Sequence, residues 1–182
     1  MNLRAYMETA HGTQLWEKVV QALPPADQKL IAGLPIASGW YPVGVWNRTL
    51  RAYLATLRVP VAREGEAIVA IARFIADRDL NAFFKLMLRA RSPEFILKRA
   101  GSLWERYFDV GSAGAEEIGK RSFRAWVEAP RGDDDAPGEL SCRYGVVGWL
   151  SRALELSGVS PRITETQCRF RGAPRCEYAV LW

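Results

Sequence analysis

The chain has 182 residues, of which 49% are hydrophobic and 25% charged; this balance is typical of one packed domain and excludes a disordered, collagen-like or coiled-coil protein. The net charge is +5, but acidic residues are interspersed with the basic ones and form no aromatic-interleaved basic stripe, so we predict no nucleic-acid partner. No apolar run reaches the roughly 18 residues of a membrane span, and the first residues lack the apolar stretch of a secretory signal. The sequence therefore predicts a cytoplasmic protein without a membrane span.

Helical periodicity dominates the first part of the chain. Apolar residues recur at helical spacing, and the start signals Pro42 and Ser92-Pro93-Glu94 precede two of the periodic segments. We predict helices over 13–23, 26–32, 42–56 and 66–89, and a further helix from Ser92 to about Tyr107.

The pattern changes at Phe108, where glycines begin to punctuate the chain. Phe123, Ala125 and Val127 alternate with other residues, which predicts a strand paired with a short one over 107–110. A polar loop over 131–139, predicted to be a solvated turn, leads to a helix over 140–156. A hairpin centred on Gly172 ends the chain.

Helices come first in this order of elements, and strands follow. The order predicts an α+β fold in which N-terminal helices pack on a C-terminal antiparallel sheet. We predict one domain over 1–182, mainly helical over 1–107, with the strand, the last helix and the hairpin in 108–182.

The three cysteines fall on the helix and the hairpin of this second part. Cys168 and Cys176 lie opposite each other if the hairpin is centred as predicted, and Cys142 lies in the first turn of the helix. With Glu165, they offer three thiolates and one carboxylate, a closed tetrahedral set for structural zinc. Because Glu165 and Cys168 would point to opposite faces of a regular strand, this set requires a bulge near 166–167.

Two other interpretations of the cysteines stay open from their spacing. They are a disulfide between Cys168 and Cys176, or three buried thiols that pack as small hydrophobic groups. Each cysteine also has an arginine neighbour that would offset the negative charge of a thiolate site; these neighbours are Arg143, Arg169 and Arg175.

A longer pattern joins the cysteines to the residues between them: Cys142, Gly148-Trp149, Gly158, Glu165, Cys168, Gly172, Cys176 and Tyr178. This pattern resembles the C-terminal half of the 4-vinyl reductase domain, a small-molecule sensing module of aromatic-responsive transcription activators. In zinc-bearing members the ligands are the three cysteines and the glutamate, so the resemblance implies a zinc site of Cys142, Glu165, Cys168 and Cys176. The whole chain also resembles an uncharacterised paralogous family expanded in myxobacteria, which implies no activity.

The resemblance also implies a fold shared with haem-based nitric-oxide sensor domains and with TRAPP-type vesicle-tethering subunits of Golgi transport. The haem sensors need a proximal histidine in a central helix and a Tyr-x-Ser-x-Arg contact to the propionates. This chain has one histidine, His11, near the N-terminus, and lacks that motif. We therefore predict no haem.

The leading functional hypothesis is a non-catalytic sensory or ligand-binding domain that holds a hydrophobic or aromatic small molecule between the helices and the sheet. Candidate cavity residues are Phe84, Trp104, Tyr107, Trp126 and Trp149, although each of these aromatics by itself is more typical of ordinary core packing. The hypothesis predicts an internal apolar cavity above about 300 Å³.

The alternative is a protein-interaction module, similar to the TRAPP-type subunits, that forms a homodimer or docks on a partner through Trp40, Tyr41 and Trp46. An enzyme is disfavoured because the chain lacks a Gly-x-Ser-x-Gly elbow, a phosphate-binding loop and a dinucleotide-binding fingerprint.

Overall fold

Seven of the described helices precede the sheet in the computed structural model, and one lies between its second and third strands. The structure describes residues 2–32, 41–84, 92–132 and 134–182, and of residues 81–84 only the backbone. The helices within these residues are α1 (Asn2–His11), α2 (Thr13–Gln21), α3 (Pro25–Ala32), α4 (Val43–Thr56), α5 (Glu64–Phe84), α6 (Pro93–Leu97), α7 (Ala100–Trp104) and α8 (Val146–Leu156). The strands are β1 (Ser112–Gly119), β2 (Ser122–Glu128), β3 (Arg162–Gln167) and β4 (Cys176–Leu181). None of the described helices combines the length and apolarity that crossing a membrane requires.

The first helices enclose one of two apolar clusters, which we call the helical core. Its buried members come from α1, α2, α4 and α5: Leu3, Met7, Leu15, Val19, Leu50, Tyr53, Leu54, Ile68 and Ile71. Within α5, Ile68 and Ile71 are three residues apart and therefore lie on one face of the helix. The amphipathic pattern thus places α5 against its neighbours.

The four strands form one antiparallel sheet in the order β1-β2-β4-β3. In β2, Phe123, Ala125 and Val127 are buried while Arg124 and Glu128 are exposed, because successive side chains of a strand point to opposite faces. The buried face belongs to the second cluster, the sheet core: Ala76, Leu80, Ile96, Leu97, Trp104, Phe123, Ala125, Val127, Cys142, Leu150, Ala153, Leu154, Cys168, Cys176, Tyr178 and Val180.

The two cores meet where α5 packs against α8. Gly148 makes this approach close, since a Cβ there would lie 2.8 Å from the carbonyl oxygen of Val69 and 2.9 Å from its Cα. Two ion pairs cross the same junction: Arg73 with Glu155 at 2.7 Å and Arg152 with Asp77 at 2.8 Å.

The predicted fold class is confirmed, and several predicted elements need correction. The helix predicted over 92–107 divides into α6 and α7, and the strand predicted over 107–110 lies instead at Ser112–Gly119. Helix α1 was not predicted. The last helix begins with a π-helical turn, Ser141–Gly145, before α8. Residues 85–89 of the helix predicted over 66–89 lie outside the described part of the chain.

Candidate functional site

An apolar cavity of about 180 Å³ lies between the helical core and the sheet core. Its volume is smaller than the roughly 300 Å³ expected from the sequence, so the prediction of a cavity above that size was wrong. The lining residues are Trp46, Leu50, Ile68, Ile71, Ala72, Ile75, Ile96, Ala100, Leu103, Trp104, Tyr107, Phe108, Ala113, Gly114, Ala125, Trp126, Val127, Pro137, Ser141, Cys142, Gly145, Val146, Trp149, Leu150 and Tyr178. No charged side chain occurs among these described residues.

Three of the five predicted aromatics contribute directly to this lining. The indole N–H of Trp104 donates to the carbonyl of Val110 at 2.9 Å, and the indole N–H of Trp149 donates to the Tyr107 hydroxyl at 3.1 Å. That hydroxyl in turn donates to the carboxylate of Asp79. Burial, followed by the negative charge of Asp79, raises the pKa of Tyr107. These three side chains are therefore fixed by hydrogen bonds at one side of the cavity.

The other two predicted aromatics are placed differently. Trp126 belongs to the lining, but the alternation of β2 turns its ring away from Ala125 and Val127. The ring covers Gly114 on the neighbouring strand, and the guanidinium of Arg175 stacks on it at 4.9 Å. The backbone of Trp126 therefore borders the cavity while its ring faces the opposite side of the sheet. The side chain of Phe84 lies outside the described part of the structure.

The π-turn Ser141–Gly145 forms another side of the cavity. Ser141, Cys142 and Gly145 all line it, and the hydroxyl of Tyr178 donates to the carbonyl of Cys142 at 2.7 Å. Tyr178 is fully buried in β4, so this hydrogen bond connects the turn to the sheet. π-helical turns are rare and occur frequently at functional sites; nothing in the sequence pattern indicated one here.

Three of the four predicted metal ligands converge beside the cavity. The ligand atoms of Glu165, Cys168 and Cys176 all lie within 4.8 Å of one another. Cys142, the fourth predicted ligand, is not in this group; its thiol lies 3.8 Å from the carbonyl oxygen of Pro137 and 3.5 Å from the guanidinium of Arg169. The register of β3 shifts between Glu165 and Gln167. This confirms the predicted bulge, which is what allows Glu165 and Cys168 to share a face. We call these four residues the thiol cluster.

Arg169 supplies the positive charge of the thiol cluster. It is 1% exposed, and its guanidinium donates to the Cys142 sulfur at 3.5 Å and to the carbonyls of Ala129, Pro130 and Pro137. Of the three arginines beside the cysteines, Arg169 is thus the one that contacts a thiol. Arg143 pairs with Glu139, and Arg175 pairs with Glu177.

The thiols differ in acidity because their hydrogen bonds differ. The neighbouring Cys142 thiol, with a smaller contribution from the backbone N–H of Arg169, lowers the pKa of Cys176 to about 6. The neighbouring Cys176, together with burial, raises the pKa of Cys142 well above its ordinary value. Burial also raises the pKa of Cys168. One carboxylate oxygen of Glu165, Oε1, is buried without a hydrogen-bond partner.

The loop before the π-turn was predicted to be a solvated turn, but the structure fixes it to α4. Asn47 donates to the carbonyl of Ala136 and accepts from the backbone N–H of Gly138, both at 2.9 Å. Arg48 pairs with Asp134 in this loop and with the buried Asp27 of α3. Sequence reasoning missed the contacts with this loop because residues 86 to 91 positions apart form them.

The predicted interface aromatics do not form one exposed group in the described structure. Tyr41 is 41% exposed, whereas Trp46 is half-buried and donates to the Ser141 hydroxyl at 2.9 Å. Trp40 lies outside the described residues. The one histidine, His11, is at the end of α1 and lies 3.2 Å from the Tyr53 hydroxyl, away from the cavity lining.

The chain matches no family model and no curated protein, so the resemblance to the 4-vinyl reductase domain stays a prediction. Solved structures that share this fold include H-NOX proteins. One from K. algicida, in the unliganded Fe(II) state, is 12% identical with a TM-score of 0.75, covering 99% of this chain and 92% of its own. One from S. oneidensis, in the Fe(II)NO state, is 11% identical with a TM-score of 0.75, covering 98% and 94%.

These structures contradict the cofactor prediction. Both H-NOX proteins were solved in Fe(II) states. A further structural neighbour is 8% identical, with a TM-score of 0.71 over 100% of this chain and 96% of its own. In that protein, protein-induced porphyrin distortion modulates the heme redox potential. The prediction of no haem, which rested on the lack of a central histidine, was therefore wrong, because the fold itself is one found in haem proteins. The predicted zinc has no support from these structures.

The residues described here do not by themselves fit a porphyrin. The cavity of about 180 Å³ is smaller than a porphyrin, and its described lining contains no histidine and no cation to pair with propionates. Tyr107, Cys142 and Tyr178, the lining residues of types that ligate haem iron elsewhere, already have hydrogen-bond partners.

Proposed function

We propose that the chain is a non-catalytic ligand-binding domain of the sensory kind, whose cavity holds one small apolar molecule. The observation that carries this proposal is the apolar cavity between the two cores. Protein interiors are packed to near-crystal density and contain few voids larger than a water molecule. The apolar walls of a partly open cavity of about 180 Å³ lack dispersion contacts that ordinary packing would supply, and a bound ligand would restore them.

The volume and chemistry of the cavity define the ligand class. An engineered apolar cavity of roughly 150 Å³ stays dry and binds benzene or xenon, whereas pockets for drug-sized ligands begin at roughly 300 Å³. The cavity therefore suits a molecule with one aromatic ring or an aliphatic group of similar bulk. The ligand is neutral, because no charged residue in the described lining would compensate a buried charge.

The absence of a general base supports a binding role over catalysis. The described lining contains no aspartate, glutamate or histidine, the side chains that most often move protons in enzymes. The shared fold with H-NOX proteins, one of them solved with NO, and the resemblance to the aromatic-responsive 4-vinyl reductase domain both favour small-molecule sensing.

The thiol cluster is proposed to be a structural metal-ion site within this domain. Three convergent ligand atoms and an unpartnered buried oxygen on Glu165 support this proposal, and the nearby Cys142 thiol is the proposed fourth ligand that would close the set. Atomic absorption of the purified protein would give one metal ion per chain, and Cys168→Ser would release it. A protein that is free of metal and has three freely reactive thiols would contradict this part of the proposal.

Toluene is the probe that tests the cavity. We expect saturating toluene to raise the melting temperature of the full chain, because a ligand that binds the folded state stabilises it by mass action. Ala125→Leu should abolish this increase, since Ala125 is buried and lines the cavity. The matched control is Ala179→Leu on the opposite face of the neighbouring strand, which should retain the increase.

A second cavity-filling variant, Ala100→Leu in α7, keeps the test informative if Ala125→Leu does not fold. No toluene-induced increase in the wild-type protein would overturn the proposal, and so would equal increases in the filled and control variants. A haem absorption band in the purified protein, unchanged by toluene, would assign the cavity to haem instead. Light scattering that shows a tight dimer whose melting temperature toluene does not raise would favour the interaction module.

A further inference from the structure

Most polar groups that border the cavity are already occupied by protein partners. The indole N–H groups of Trp46, Trp104 and Trp149 each donate to an oxygen. The Tyr107 hydroxyl donates to Asp79, and the Tyr178 hydroxyl donates to the carbonyl of Cys142. A ligand therefore finds few donors in this lining.

Ser141 differs from these groups. It is 8% exposed, and its oxygen accepts the indole N–H of Trp46 at 2.9 Å. A serine hydroxyl has one donor in addition to its acceptor lone pairs, and the Ser141 hydroxyl donates to no other residue in the described part of the chain. Because the indole N–H occupies a lone pair of the oxygen, the hydroxyl proton points away from Trp46.

The π-turn contributes two consecutive residues to the cavity wall. Ser141 and Cys142 both line the cavity, as neighbouring residues of the regular helices α5, α7 and α8 also do. Cys142 is at the same time part of the thiol cluster and is held by Tyr178. The turn is therefore fixed from the sheet side while Ser141 is held from the side of α4 by Trp46.

We infer that Ser141 determines specificity by donating a hydrogen bond to the bound molecule, an inference that rests on the proposed function. The ligand class is then a neutral molecule with one small ring and one compact acceptor, such as a carbonyl oxygen. An apolar body of the same shape without the acceptor still enters the cavity but leaves the donor of Ser141 unpaired, which costs binding free energy.

Acetophenone and α-methylstyrene test this inference because they have nearly the same shape and differ in a carbonyl oxygen against a methylene group. Dissociation constants are measured for both by calorimetry on the full chain. Ser141→Ala should weaken the binding of acetophenone roughly two- to tenfold, the range that one net hydrogen bond supplies. The same substitution should change the binding of α-methylstyrene less than about twofold. Ser141→Thr, which retains the hydroxyl, should keep the preference of the wild-type protein.

The indole of Trp46 requires its own control, since Ser141→Ala also removes its acceptor. In the Trp46→Phe background, Ser141→Ala should still weaken acetophenone selectively. Suppose that α-methylstyrene binds the wild-type protein and that Ser141→Ala weakens the binding of both ligands equally or of neither. Ser141 is then not a specificity residue, although the cavity still binds a ligand. If neither compound nor toluene binds the wild-type protein, the proposed function itself fails.

Discussion

The helical core and the sheet core are held together by different chemistry. The helical core consists of aliphatic and aromatic side chains from four helices, and hydrophobic burial accounts for its cohesion. The sheet core contains the three cysteines, with the buried Arg169 beside them. Both buried side-chain atoms without a hydrogen-bond partner in the described structure, Oε1 of Glu165 and Nε of Arg169, also lie here.

This difference indicates which core tolerates change. Apolar cores accept volume-conserving substitutions at small cost, whereas a buried polar network depends on every partner. The cavity borders both cores, with Leu50 and Ile68 from one and Leu150 and Tyr178 from the other. A molecule bound there would contact an adaptable surface on one side and a fixed one on the other.

Removal of Arg169 is expected to have the largest effect. Arg169→Met leaves the carbonyls of Ala129, Pro130 and Pro137 without their donor. Leaving the buried Pro137 carbonyl unpaired costs about 1–3 kcal/mol, and the two carbonyls in partly buried positions add smaller amounts. We expect the free energy of unfolding in urea to fall by about 3 kcal/mol or more. Arg171→Met, an exposed neighbour in the same turn, should change it by less than about 0.5 kcal/mol. Equal effects would remove the contrast between the two cores.

Gly148→Ala tests the junction of the cores, with an intermediate effect. The new Cβ would lie 2.8 Å from the Val69 carbonyl oxygen, so α5 and α8 must separate, and overpacking of this kind costs about 1–3 kcal/mol. The matched control is Gly145→Ala, where the nearest atoms are 3.9 Å from the new Cβ. It should be neutral or stabilising by up to about 1 kcal/mol, as alanine is the better helix former. Urea unfolding of both variants measures the difference.

The smallest expected effect is the pH dependence of the Arg73–Glu155 pair across the same junction. Arg73 first, and Arg152 next, lower the pKa of Glu155 from its ordinary 4.5. A lowered folded-state pKa means that the pair stabilises the protein above pH 4.5, and that this contribution is lost as the pH falls through the lower value. Because Glu155 is 32% exposed, we expect less than about 1 kcal/mol. The free energy of unfolding in urea should change less between pH 7 and pH 3 for Glu155→Gln than for the wild-type protein. An equal change in both proteins would contradict the assignment.

Local sequence patterns predicted the parts of the fold that depend on neighbours in the chain. The alternation through Phe123, Ala125 and Val127 predicted β2, and the turn at Gly172 predicted the β3–β4 hairpin. The requirement that Glu165 and Cys168 share a face predicted the bulge. The helix break near Lys98 was not predicted, because the apolar spacing continues across it.

Contacts between distant residues account for what the sequence did not predict. Asn47 and Arg48 have the pattern of ordinary helix residues, yet they hold the loop before the π-turn. Three arginines stood beside cysteines, and only the tertiary structure distinguishes Arg169 from the other two. Ser141 had no distinguishing signal, since its role depends on Trp46, 95 positions away.

The π-turn also has a consequence for protein engineering. Such a turn corresponds to an α-helix that has gained one residue, so deletion of Arg143, whose side chain points towards Glu139 rather than into the cavity, would restore a regular helix. Residues before the deletion would then rotate by about 100° relative to α8, which would change the direction of the Ser141 side chain relative to the cavity. A single codon thus sets the orientation of Ser141.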